Sequence, residues 1–251
     1  MKKGDWVKAV FFDMGGTVED LKYDEELRLA AAGRLLRLLK QHGLDPGLPK
    51  ENFYQLVSSG LRRYMEWRVQ SKVEIKAADF WNEYVFGDLN LPSQKIARIA
   101  ELLTFFVETN FYRRQMRKEV PRVLEAIRQM GLKIGCISNV LGIMLVPYCL
   151  EKYGIINYFE VIVLSSIYGR RKPDPSIFRY AARLTGVSPA QCVYVGDTIS
   201  RDVIGSKQAG YGLSLLIPSS LTQQSDISNE PIQPDATLDN LEDVVEILGL
   251  K

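Results

Sequence analysis

The chain has 251 residues, 46% of them apolar and 25% charged, the proportions of an ordinary folded protein with material for one large domain or two smaller ones. Lysine and arginine number 32 against 30 acids, so the net charge of +2 supplies no basic field for nucleic acid. No run approaches the roughly 20 apolar residues of a membrane span, and the short amino-terminal apolar run ends in an acid instead of a cleavage site, so a cytoplasmic location is expected.

The first element is an apolar run from Val7 to Phe12, interrupted only by Lys8. Its Val and Phe content reads as a buried parallel strand, and Gly15 with Gly16 gives a tight exit where backbone can approach a ligand. Asp13 then stands at the carboxyl end of a strand, where open α/β sheets place their ligands. Taken alone it serves equally well as a turn former.

From Glu19 to about Arg114 no strand is expected. Asp24, Glu25 and Glu26 start a helix whose stripe of Leu27, Ala31, Leu35 and Leu38 runs until Gly43. His42, the single histidine, falls in its last turn as a favourable helix-end charge. A second helix carries Phe53, Val57, Leu61 and Tyr64. A third, Ala77 to Phe86, bunches Phe80, Trp81 and Tyr84, and a fourth opens at Ser93 behind Pro92 with Ile96, Ile99, Leu103 and Phe106 inward. The aromatics read as core. This bundle is an excursion inserted after the first strand.

Pro121 sits where a helix begins, and Val123, Leu124, Ile127 and Met130 form its buried face until Gly131. Strands then follow at Leu132–Ile137, Val161–Leu164, Val193–Val195 and Leu213–Ile217, with helices at Leu145–Tyr153, Pro175–Leu184 and Asp202–Ala209 between them. Alternation of this kind predicts a doubly wound, Rossmann-like parallel sheet with helices on both faces. Pro218 to Asp235 reads as a surface loop, and Asp239 as the cap of a last helix bearing Leu241, Val244, Val245 and Leu248. Cys136, Cys149 and Cys192 have apolar neighbours and no metal or redox spacing, so packed thiols are expected.

Three later segments carry polar residues able to meet Asp13. Ser138 and Asn139 end a strand where backbone N–H groups face an anion. Lys172 is held in an extended segment by the prolines that follow it. Gly196, Asp197 and Asp202 leave another strand, and like charges about 4 Å apart repel by roughly 4 kcal/mol at an effective dielectric near 20, so these acids call for a cation. Asp13, Asp197 and Asp202 with Lys172 as resident cation make a hard-oxygen pocket suited to magnesium.

In order and relation these four pieces, Asp13–Thr17, Ser138–Asn139, Lys172–Pro173 and Gly196–Asp202, resemble the haloacid dehalogenase superfamily of hydrolases. The resemblance implies a core of residues 1–18 and 115–251 and a helical cap of residues 19–114. It also implies that Asp13 is a nucleophile forming an aspartyl intermediate and that Lys172 balances charge. Met14, Gly15, Ser138 and Asn139 would then hold the substrate, and Asp13, Gly15, Asp197 and Asp202 would form the magnesium site. The implied substrate is a small phosphorylated molecule, and the implied assembly a monomer or a homodimer through the cap.

One position departs from the pattern. Phosphatases resembling this chain carry an acid/base aspartate two residues after the nucleophile, and here that residue is Gly15. Loss of a general acid typically costs roughly a hundredfold to ten-thousandfold unless the leaving group needs no proton. Three readings follow: a magnesium phosphatase with a good leaving group or with Glu19 or Asp20 standing in; a phosphonatase or halo-acid hydrolase; and a binding protein that has lost turnover. Dehalogenases of the family need no metal, so the acids of Gly196–Asp202 speak against halide chemistry.

Overall fold

The computed structural model describes residues 6–220, 226 and 231–249. The chain divides into two compact units: Met1–Leu21 with Gln115–Asn139 and Val146–Lys251, and Lys22–Arg114 with Val140–Leu145. The expected division fell at 18/19 and 114/115, and it gave the segment 140–145 to the core.

The first unit is built on a six-stranded sheet. In chain order its strands are β1 (Ala9–Phe12), β4 (Lys133–Ser138), β5 (Val161–Leu164), β6 (Cys192–Gly196), β7 (Leu213–Leu216) and β8 (Ala236–Thr237). Their spatial order is β5-β4-β1-β6-β7-β8, and every neighbouring pair is parallel. All four residues of β1 are buried, which is why its sequence shows no alternation. Phe12 pairs with Cys136 of β4 and with Val195 of β6. Asp13 therefore leaves the sheet between two neighbouring strand exits, where the winding changes direction and ligands bind.

Helices α5 (Val120–Gln129), α6 (Leu145–Lys152), α7 (Ser165–Tyr168), α8 (Pro175–Leu184), α9 (Ile204–Ala209) and α10 (Asp243–Ile247) alternate with these strands. Pro121 falls at the start of α5 as expected, and Asp174 caps α8, accepting from Ser176 N at 2.9 Å. Asp239 caps nothing. Its own N–H and that of Asn240 donate to the Asp243 carboxylate, and the last helix begins only at Asp243. Part of the expected loop, residues 221–225 and 227–230, lies outside the described residues.

The second unit is helical: α1 (Glu25–Gln41), α2 (Lys50–Ser71), α3 (Ala77–Asp79), which runs on through a π-type turn Phe80–Val85, and α4 (Ser93–Asn110). Asp24 caps α1 by accepting from Leu27 N at 2.6 Å, and His42 ends it. Tyr64, Phe80, Trp81, Phe86 and Phe111 are all less than 3% exposed and form an aromatic core. Trp81 keeps its indole N–H satisfied on Thr104 Oγ1 at 2.9 Å.

The expectation of no strand between Glu19 and Arg114 is corrected. β2 (Glu19–Lys22) and β3 (Arg113–Met116) form a two-stranded sheet where the chain passes from one unit to the other. Both segments, EDLK and RRQM, are too polar to show period two, and their pairing spans more than ninety residues, so local pattern cannot reveal it. All three cysteines are buried thiols. Among the described residues no helix is long and apolar enough to cross a membrane.

Candidate active site

Asp13 is fixed first by its backbone, whose N–H donates to Val195 O of β6 at 2.9 Å. Lys172 arrives from the segment that feeds α8. Asn139 holds the backbone of that residue at two points, accepting from Lys172 N at 2.9 Å and donating to Lys172 O at 3.0 Å. The amide expected to touch substrate is thus committed to the lysine backbone. The Lys172 ammonium lies 2.7 Å from Asp13 Oδ1, 2.7 Å from Asp202 Oδ1 and 2.8 Å from the Tyr194 hydroxyl.

Asp202 is brought close by a wide turn. Its N–H and that of Val203 both donate to Thr198 O at 3.1 Å, within a π-type turn Ile199–Val203 that accommodates the four residues between Asp197 and Asp202. Thr198 returns two bonds to Asp202 Oδ2, from its N–H at 3.1 Å and its hydroxyl at 2.6 Å. A Cβ on Gly196 would lie 2.4 Å from Asp202 Cβ, so only glycine lets the acid tuck under the strand end. Gly16 is equally constrained: its φ is +91° and a Cβ there would fall 2.0 Å from Asp197 Oδ2. The Ser219 hydroxyl donates to Asp197 Oδ2 at 2.8 Å.

One carboxylate oxygen from each of Asp13, Asp197 and Asp202 lies within 4.8 Å of the others, and all three residues are buried. Burial and the Asp13 and Asp202 charges push the Asp197 carboxyl up to about 7. Burial also raises Asp13, against the pull of Lys172. Burial opposes the charged form of Asp202 as well, but Lys172 and Arg201 outweigh it and hold that acid low. Burial works against the ammonium of Lys172 too, yet Asp13 and Asp202 outweigh it and hold its pKa above the usual lysine range. One ammonium and one guanidinium face three acids. An all-oxygen set with surplus negative charge fits a hard divalent cation such as magnesium.

The loop after Asp13 is tightly folded. Met14 O accepts from the N–H groups of Thr17, Val18 and Glu19, and Gly16 N donates to Glu19 O at 2.7 Å. Arg117 braces it, donating to Gly16 O at 2.7 Å with its Nε 3.2 Å from Asp20 Oδ1. At Gly15 a Cβ would lie 3.1 Å from Leu21 Cδ1, so the place of a side chain there is bordered by a methyl group. Glu19 is wholly buried and accepts from the Tyr153 hydroxyl at 2.7 Å. Ser138 is buried at the end of β4, on the strand next to that of Asp13.

Asp13, Lys172, Asp197 and Asp202 therefore come together, and Ser138 leaves the sheet at the same rim. Sequence reasoning passed over Tyr194 and Arg201. The first is hidden in an apolar run, VYV, and the second follows a polar stretch in which any residue could face solvent. Tyr194 is fully buried, and burial with the Asp202 and Asp13 charges pushes its hydroxyl pKa well above the usual value.

A doubly wound parallel sheet that gathers three buried acids and a lysine near its strand exits is a Rossmann-like α/β core with a charged site at its rim. Comparison with known families matches residues 7–210 to the haloacid dehalogenase-like hydrolases, and the chain belongs to that family. It is 27% identical over 243 residues to a glyceraldehyde 3-phosphate phosphatase of Methanopyrus kandleri, covering 96% of this chain and 97% of that protein. It is also 27% identical over 242 residues to a phosphoglycolate phosphatase of Aquifex aeolicus, with coverage of 96% and 97%. Among solved structures, a HAD phosphatase from Thermococcus onnurineus superposes with a TM-score of 0.61 at 25% identity, covering 97% of this chain and 98% of that one.

Proposed function

We propose that this hydrolase is a magnesium-dependent phosphatase for a small phosphorylated metabolite, acting through an aspartyl-phosphate at Asp13. The observation that carries the reading is the Lys172 ammonium set 2.7 Å from both Asp13 and Asp202, beside the Asp197 carboxylate. The names of the relatives, phosphatases of phosphoglycolate and of glyceraldehyde 3-phosphate, support a small phosphorylated substrate; both of those are alkyl phosphates, so they speak for its size and not for its leaving group.

Asp13, Asp197 and Asp202 would hold the magnesium ion, with the backbone at Gly15 as a further oxygen donor. Bound there, the ion would offset phosphate charge and polarise the phosphoryl group. Asp13 presents an oxygen to phosphorus, and Lys172 offsets the repulsion between that carboxylate and the phosphate. The Ser138 hydroxyl and the backbone N–H groups of Met14 and Gly15 bind the equatorial oxygens. As the bond from Asp13 to phosphorus forms, the bond from phosphorus to the leaving oxygen breaks; water then attacks that phosphorus, the bond to Asp13 breaks, and the carboxylate and dihydrogen phosphate are released.

The leaving oxygen has no acid at position 15 to protonate it. Glu19 is sealed in with Tyr153, and Asp20 is drawn toward Arg117. The reading therefore favours esters whose leaving group departs as an anion, such as aryl or acyl phosphates, over simple alkyl phosphates.

A panel of aryl, acyl and alkyl phosphates assayed with magnesium, repeated on Asp13→Asn, tests it. Turnover that falls steeply with leaving-group basicity and is lost in Asp13→Asn is expected. Installing the acid as Gly15→Asp with Leu21→Ala, which clears the neighbouring methyl, should then raise alkyl phosphate turnover tenfold or more. Activity that survives Asp13→Asn sinks the proposal.

A further inference from the structure

We infer that Tyr194 and Asn139 are positioning residues that mount Lys172 at its two ends, so that the ammonium keeps its place while Asp13 changes charge. The inference rests on Asp13 being the nucleophile.

An ammonium has three N–H bonds, and around Lys172 three acceptors stand at 2.7 to 2.8 Å: Asp13, Asp202 and the Tyr194 hydroxyl. Lysine is a compact charge on a flexible four-carbon stem, and two carboxylates alone do not define where it stops. During turnover the Asp13 carboxylate becomes an acyl phosphate and its pull changes. The pull of Asp202 does not. Without a third contact the ammonium would follow Asp202 and leave the reacting group.

Tyr194 supplies a neutral acceptor that is the same in every state. Its own proton has two acceptors, Asp202 Oδ1 and the Ile137 carbonyl of β4, each at 3.2 Å. The hydroxyl is thereby tied to the acid on one side and to the sheet on the other. Its ring stands edge-on to Phe178 at 4.9 Å between centroids, so phenylalanine at 194 preserves the packing and removes only the hydroxyl. At the other end Asn139 grips both backbone groups of Lys172, which fixes where the stem begins. The amide donates from one atom and accepts at another, whereas an ionised aspartate only accepts and a serine has one short hydroxyl to offer to both groups.

The test is a double-mutant cycle on turnover of p-nitrophenyl phosphate with magnesium: Tyr194→Phe alone, Lys172→Met alone, and the two together. Tyr194→Phe is expected to lower kcat about tenfold, the effect of one hydrogen bond to a charged group, with KM changed less than twofold. In the Lys172→Met background it should lower kcat no further. Asn139→Ser is the second variant, expected to show the same kcat loss and the same dependence on Lys172, and it serves alone if Tyr194→Phe does not fold. An unchanged kcat, or a tenfold loss in both backgrounds, overturns the mount, because a packing role does not need the lysine. A raised KM in Asn139→Ser means direct contact with substrate and also overturns it. The two levels separate cleanly: full activity in Asp13→Asn sinks the nucleophile, whereas an inactive Asp13→Asn beside a fully active Tyr194→Phe sinks only the mount. A wild-type chain inert toward this ester overturns both.

Discussion

The two units of the molecule bury opposite kinds of side chain. At its strand exits the sheet unit holds Asp13, Lys172, Asp197 and Asp202, each no more than 7% exposed, whereas the helical unit is filled by Tyr64, Phe80, Trp81 and Phe86. Buried charges are a poor source of stability, because desolvation consumes most of what pairing returns. Rings are a good one, since each removes a large apolar area from water. The sheet unit gathers four charged groups in one buried cluster, whereas the helical unit fills its core with rings and buries its acids, Glu74 and Glu108, singly.

The contrast can be broken most directly at Trp81. Trp81→Ala is expected to cost about 3–5 kcal/mol in a denaturant melt, the range for large aromatic truncations in a packed core, and to strand the Thr104 hydroxyl. A loss below about 1 kcal/mol would show that the rings are not what holds the helical unit together. Asp24→Ala sharpens the comparison at the surface: removing the cap of α1 should lower stability by about 1 kcal/mol and reduce the far-ultraviolet helical signal near the melting point.

The smallest effect is expected at the helical unit's own strained acid. Glu108 Oε1 accepts from the N–H groups of Leu141 and Gly142, each at 3.3 Å, while its Oε2 is sealed from solvent without a donor. Burial is the chief cause that pushes this carboxyl from 4.5 up to about 7, and the two N–H groups offset only part of it. The folded chain therefore holds this proton more tightly than the unfolded chain does. The resulting stability is present below pH 4.5 and is lost as pH rises toward 7. Glu108→Gln should flatten the decline of melting temperature between those limits and gain under about 1 kcal/mol at pH 8, the neutral amide making weaker bonds to the same N–H groups. A variant whose melting curve tracks the wild type at every pH would show that Glu108 carries no strain.

Much of the sheet was legible because burial on both faces turns a strand into an apolar run, as in Ala9–Phe12 and Cys192–Gly196. The helices of the second unit were legible through their stripes and through Asp24. Asp13 and Asp197 stood out because acids followed directly on apolar runs, whereas Lys172 and Asp202 stood out through the motifs that carry the family resemblance. What stayed hidden was whatever depends on a partner far along the chain. The polar ribbon of β2 and β3 is of this kind, as is β8, two residues long and parallel to β7. So is the segment 140–145, in which the N–H groups of Leu141, Gly142 and Ile143 donate to Glu108 and Glu101 of α4. Asn139 looked like a ligand-binding amide because its partner, the Lys172 backbone, lies 33 residues away.

The wide turn at Ile199–Val203 has a consequence for how such sites are recognised in other chains. Because Thr198 O receives both Asp202 N and Val203 N, losing one residue between the two acids would shift each bond by one place and still leave the carbonyl a donor at helical spacing. The second acid is thus a location beneath a strand tip, reachable by loops of unequal length. A search that insists on a fixed gap between the two carboxylates would discard chains that reach the same location by the shorter path.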